Sequence, residues 1–242
     1  MRLSGRALMA QMSEAPGFEL HMAGSCVLGL TSEPSTDFNI LILGADPEAE
    51  GFLIRSVRRA RERDLPLLVT VSPAIAEAMV PVSTRLGLKA GARAPLMVLR
   101  DKTSVGSSRR VKITRALGAE LVGIAGDLVA AGFEVPRDVV ARCMDVGITE
   151  TSGVETYIAW DGEKPMSVVS VTLTGNTAAI SAMATLPEHQ GKGMGRALLS
   201  HAIADYRQRG VTRFHLTSSP AGLSLYTSVG FGRIAELSVW FL

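Results

Sequence analysis

The alternation of apolar and polar positions runs through one succession of elements twice in this 242-residue chain. In the first half a turn, Asp46-Pro47-Glu48-Ala49-Glu50-Gly51, opens a stretch of helical spacing that ends in ARERDLP. A short β-type run follows, LLVTVSP. A second helical segment ends in the glycine turn of STRLGLK, and the apolar strand APLMVLR closes the half. In the second half the turn is Leu186-Pro187-Glu188-His189-Gln190-Gly191, and the helical stretch ends in YRQRGVT. The run FHLTSSP, the helical segment ending in YTSVGFG and the strand ELSVWFL then repeat the order. The Pro-Glu and Ser-Pro pairs recur in register, which favours a duplication over a chance likeness of two βα patterns.

Between the halves lies DKTSVGSSRRVKIT, residues 101–114, polar and rich in Gly and Ser as linkers are. Beyond it, ITRALGAELVGIAGDLVAAG and VPRDVVARCMDVG have the spacing of amphipathic helices, separated by Gly132-Phe133 and restarted at Pro136. VETYIAW and SVVSVTL form strands about the turn Asp161-Gly162, and TAAISAMATL follows a second turn at Gly175-Asn176. The expected fold class is α/β, with a twisted mixed sheet flanked by helices in each half.

Composition narrows the function classes. A hydrophobic content of 47% supplies cores for one large or two small domains. A formal net charge of +2 with interspersed signs gives nucleic-acid binding no support. The basic clusters Arg58-Arg59-Ala60-Arg61 and Arg109-Arg110 read as a solvated helix face and a basic loop. Two cysteines, Cys26 and Cys143, make no disulfide framework, and with four scattered histidines they give no metal-ligand spacing, so no metal is expected. His189 and His201 lie near the glycine turn but read most simply as surface and helix residues. The N-terminus lacks the apolar stretch of a secretory signal and no run reaches membrane-spanning length, so the expectation is a cytoplasmic protein without a membrane partner.

The chemistry concentrates at Gln190-Gly191-Lys192-Gly193-Met194-Gly195-Arg196, between a strand and a helix. A strand that ends in a glycine-rich turn and opens a helix presents backbone N–H groups at the positive end of the helix dipole, which suits a pyrophosphate. The glycines let the backbone approach closely, and Lys192 and Arg196 add positive charge. The spacing is neither a Walker loop nor the G-x-G-x-x-G of a dinucleotide fold. The first half has Ala-Glu-Gly-Phe-Leu at the same place, so it reads as a copy without this site.

The run from Pro187 to Leu199 resembles the acyl-CoA loop of the GNAT N-acetyltransferase superfamily, with Gln190, Gly193 and Gly195 on its [QR]-x-x-G-x-[GA] pattern. The run Ser218 to Phe231 is similar to the family's later element, which ends L-Y-x-x-x-G-F. The resemblance implies a GNAT domain over 113–242 and a degenerate GNAT-like domain without the loop over 1–112. It implies acetyl-CoA as cosubstrate, held by Gln190, Gly191, Lys192, Gly193, Met194, Gly195 and Arg196 at the pyrophosphate and by the strand end Met183-Ala184-Thr185 along the pantetheine arm. Ser219 stands where many members have an asparagine on that arm. Tyr226 matches the tyrosine that protonates the leaving thiolate, and a backbone N–H of the Met183–Thr185 segment would stabilise the carbonyl oxygen.

Many members carry a carboxylate base on a central strand. Here SVVSVTL and TAAISAMATL contain none. Glu155, on the preceding strand, is the nearest candidate, with Glu150 and Glu236 as weaker ones. The expected activity is acetylation of a small-molecule amine bound between the halves, by a monomer or homodimer. The alternatives are a non-catalytic acyl-CoA-binding or regulatory protein and a protein-lysine acetyltransferase.

Overall fold

The computed structural model describes residues 9–10, 12–99, 111–145 and 153–242. The first half contributes β1 (Glu19–Ala23), β2 (Cys26–Leu30), β3 (Ile40–Leu43), α1 (Ala49–Glu62), β4 (Leu68–Val71), α2 (Ala76–Arg85), β5 (Lys89–Ala90) and β6 (Ala94–Leu99). The second contributes β7 (Lys112–Arg115), α3 (Gly118–Phe133), α4 (Arg137–Cys143), β8 (Val154–Asp161), β9 (Lys164–Thr174), β10 (Thr177–Thr185), α5 (Met194–Gln208), β11 (Arg213–Thr217), α6 (Leu223–Val229) and β12 (Phe231–Phe241). A 3-10 turn, Pro187–His189, precedes α5.

These elements form one continuous mixed sheet in the order β1-β2-β3-β4-β12-β6-β11-β10-β9-β8-β7, with β5 on β12. The succession β3-α1-β4-α2-β5/β6 matches β10-α5-β11-α6-β12. Within each succession the first two strands are parallel, β3 to β4 and β10 to β11. The closing strands then change sides. β6, from the first half, runs antiparallel to β11 of the second. β12, from the second half, pairs with β6 along Phe231–Leu237 and with β4 along Ser238–Phe241. Each half therefore completes its sheet with the other's last strand.

The helices form for ordinary reasons. α1 buries Phe52, Leu53, Val57 and Ala60 at i, i+1, i+5 and i+8 and turns its arginines outward. There Arg58 pairs with Glu62, and Arg59 with Glu19, so that basic cluster is a solvated helix face. Arg109 and Arg110 lie outside the described residues, as does most of the expected linker. The linker's last residues differ from expectation. Lys112–Arg115 form a strand, because Ile113 and Thr114 find partners in Ala159 and Ile158 of β8, and the helix starts only at Gly118. The expected boundary at 112/113 falls inside this strand.

Three apolar clusters fill the molecule. One lies under α5 in the second half and one under α1 in the first. The third joins the halves, with Val27, Ile40 and Ile42 against Ala125, Leu128 and Val140 of α3 and α4. A bidentate ion pair seals this junction: Arg142 of α4 donates to both carboxylate oxygens of the buried Glu33, at 2.6 and 2.9 Å. No helix among the described residues is long and apolar enough to cross a membrane.

Candidate functional site

β10 and β11 stay together for three rungs only, Thr177 with Arg213, Ala178 with Phe214 and Ala179 with His215. Beyond Ala179 the strands part, while β10 keeps its other edge on β9 as far as Thr185. A bulge between Ser181 and Ala184 breaks the register on that side, and Ala182 adopts a left-handed φ of 45°. Bulges re-aim the strand and free its backbone groups, and they collect near active sites. The β10 edge that faces β11 therefore leaves the β11 ladder from Ile180 onward.

The end of β10 is fixed by side chains. Ser167 Oγ donates to the Ala184 carbonyl at 2.7 Å, and Gln190 Nε2 donates to the Thr185 carbonyl at 3.1 Å. Gln190 thus ties the glycine loop to the strand. Gly191 and Gly193 have φ of 71° and 80°, and a Cβ on either would meet nothing within 4 Å, so backbone conformation and not crowding demands glycine there. Gly195 is glycine for a different reason: a Cβ would come within 3.0 Å of Met183 Cε and 3.1 Å of Thr185 Oγ1. Gly193 caps α5 without a side-chain hydrogen bond, and the first turn carries no acidic residue. The positive end of a 15-residue helix is left to a ligand. Arg196 and Lys192 are exposed beside it. The residues present fit a bound pyrophosphate.

The parted strands open on a cavity of about 330 Å³. Ser181, Met183, Ser219 and Tyr226 line it from the second half; Ile40, Ile42, Leu68 and Thr70 line it from the first. Tyr226 sits on α6 with its ring edge-on to Phe231 at 6.0 Å. Gly222 allows this position, since a Cβ there would lie 2.8 Å from Tyr226 Cε2. Burial pushes the Tyr226 phenol up to about 12, so it keeps its proton at neutral pH. Ser219 Oγ accepts from the Gly222 N–H at 3.2 Å and so holds the turn before α6.

The site residues expected from sequence thus fall into one connected region, apart from the base. Glu155 does not line the cavity. It accepts hydrogen bonds from Arg115 at 2.8 Å and Tyr157 at 3.0 Å and pairs with Arg209. Burial alone would raise its carboxyl, but the bonds from Arg209 and Tyr157 and the charge of Arg115 hold it below the usual range. Such a carboxylate anchors α5 to β8 and is a poor proton acceptor. Glu236 pairs with Arg233 on the exposed part of β12, and Glu150 lies outside the described residues. Sequence reading passed over His215, which does line the cavity from β11. Its spacing from Thr217, one strand repeat on, was the available signal. Among the described residues no group of three His, Cys, Asp or Glu side chains is placed to hold a metal.

Comparison with known proteins agrees with this geometry. A family model described as "Acetyltransferase (GNAT) domain" matches residues 152–233, which contain the loop and Tyr226. The [ribosomal protein bS18]-alanine N-acetyltransferase of Escherichia coli K12 is 40% identical over 57 residues, 22% of this chain and 38% of that enzyme. The matched segment thus spans well under half the length of that relative. A GCN5-related N-acetyltransferase from Kribbella flavida superposes over 100% of this chain and 96% of its own, with a TM-score of 0.71 and 18% identity. A tandem GNAT protein from the clavulanic acid biosynthesis pathway covers 98% of this chain and 87% of its own, with a TM-score of 0.59 and 14% identity. These two likenesses concern the fold, and they extend it over the first half. Residues 152–233 of the chain thus match a GNAT acetyltransferase domain.

Proposed function

We propose that the chain is an acetyl-CoA-dependent N-acetyltransferase whose acceptor is a small-molecule amine held in the cavity between the halves. One observation carries this reading. Met183 lines the Tyr226 cavity and lies against Gly195 of the anion-binding loop, so a thioester held at the loop reaches an acceptor in the cavity. The first half is read as a copy that kept the fold, lost the loop and became a wall of the acceptor site.

The chain's residues divide the work. The N–H groups of Met194, Gly195 and Arg196 hold the pyrophosphate, with Lys192 and Arg196 adding charge. The free edge of β10 pairs with the pantetheine arm as an added strand. A backbone N–H at the bulge receives the carbonyl oxygen as charge develops on it. Tyr226 donates its proton to the departing sulfur. Its raised pKa suits an acid that must stay protonated until needed.

The test is thiol release from acetyl-CoA across a panel of amines, at neutral to mildly alkaline pH. Turnover with a compact, largely apolar primary amine is expected. Tight acetyl-CoA binding without turnover on any amine would leave a binding protein instead. A second reading, acetylation of a protein's N-terminal amine, is favoured by the bS18 relative. A peptide beginning in alanine belongs in the same panel, and its outpacing every small amine would establish that reading.

A further inference from the structure

Resting on the acetyltransferase reading, we propose that His215 is the base of this site: its imidazole takes the proton from the acceptor amine inside the cavity. Three observations place it there. His215 pairs with Ala179 on the last rung before β10 and β11 part, at the apex of the gap where the acyl group would lie. It lines the same cavity as Tyr226, Ser181 and Thr217. Among the described cavity-lining residues, only His215 and Tyr226 can titrate. β3, β4, β6, β10 and β12 contribute only apolar and hydroxyl groups to the lining, so no carboxylate among the described residues competes for the role. Glu155, the acid nearest in sequence, is held by two arginines and a tyrosine elsewhere.

The environment gives His215 the right form. Burial lowers its pKa from the ordinary 6.5, so the ring is neutral at pH 7 and able to accept a proton. The step balances without a further reactant. The amine nitrogen forms a bond to the thioester carbon and loses a proton to His215. The carbon–sulfur bond then breaks, and the sulfur takes the Tyr226 proton. Solvent returns the His215 proton to the Tyr226 phenolate, which leaves an amide and a free thiol. The cavity also selects. With apolar walls and no carboxylate among the described lining residues to hold an ammonium, it favours an amine on an apolar body and disfavours polycations.

The experiment compares the wild type with His215→Asn and His215→Phe, using the fastest aliphatic amine of the panel. The wild type is expected to lose kcat/KM as pH falls through the imidazole pKa. His215→Asn is expected to lose that limb and about 100-fold in kcat on the aliphatic amine. Acetyl-CoA affinity by calorimetry should stay within about twofold for both variants, which also reports that they fold. An unchanged kcat with the same acid limb would overturn the assignment. A wild type inert on every amine would instead sink the acetyltransferase reading.

Discussion

The junctions β3–α1 and β10–α5 occupy equivalent places in the two halves, yet only one offers an anion its helix. In the first half all four residues of β3 pair with β4, so no gap opens. The following turn brings in the chain's own carboxylate. Asp46 accepts from the Glu48 N–H at 3.0 Å and from the Ser25 N–H at 3.1 Å. Gly24 makes room, since a Cβ there would overlap Asp46 Oδ2. Glu50 adds a second acid in the first turn of α1. In the second half β10 pairs with β11 over only three rungs, and a left-handed glycine caps a helix with no acid in its first turn. The lesson is that scaffold and site are separable. A few residues at a helix start decide whether the dipole is answered from within or by a ligand.

The most damaging way to erase this difference is Gly193→Glu, which sets a carboxylate at the phosphate position and a side chain at φ 80°. Acetyl-CoA affinity should fall more than about 100-fold, because like charges brought together cost several kcal/mol. Calorimetry reads it. Tyr226→Phe leaves the loop alone and tests the cavity side. Turnover should fall about 100-fold with acetyl-CoA affinity unchanged.

Smaller effects are expected where the halves meet and where the first half caps itself. Glu33→Gln breaks the bidentate pair with Arg142. The arginine is partly exposed, so solvent screening limits the cost, and the melting midpoint should fall by only a few degrees. The bond from Arg142 lowers the Glu33 pKa against the opposing effect of burial. Its contribution is therefore present above the unfolded carboxyl value and is lost as pH falls through the folded one. The difference between the wild type and Glu33→Gln should shrink in acid. Asp46→Ala removes a turn-capping carboxylate and should cost about 1 kcal/mol in a denaturant titration. It should create no second acetyl-CoA site, because β3 and β4 stay paired.

The parts legible in the sequence were the local ones. The glycines at 191, 193 and 195 and the later Leu225-Tyr226 with Gly230-Phe231 carry their chemistry within a few residues. The helix–strand succession of both halves followed from spacing alone. What stayed hidden is long-range. The exchange of β6 and β12 depends on pairing across more than a hundred residues, and nothing in APLMVLR or ELSVWFL says which sheet they enter. Glu155 looked available because Arg115 and Arg209 lie 40 and 54 residues away. His215 looked like an ordinary strand residue until β3 and β4 of the other half closed a cavity over it. The strand β7 was masked by a β-branched pair running directly into a helix.

The measurement that bears most directly on the contrast is amide hydrogen exchange of the full chain with and without acetyl-CoA. Protection should rise along β10 from Ser181 to Thr185 and over Gly191–Ala197, and stay unchanged over Asp46–Phe52. Protection at the first half's turn, or none at the second half's loop, would contradict the assignment of the acetyl-CoA site to α5 alone.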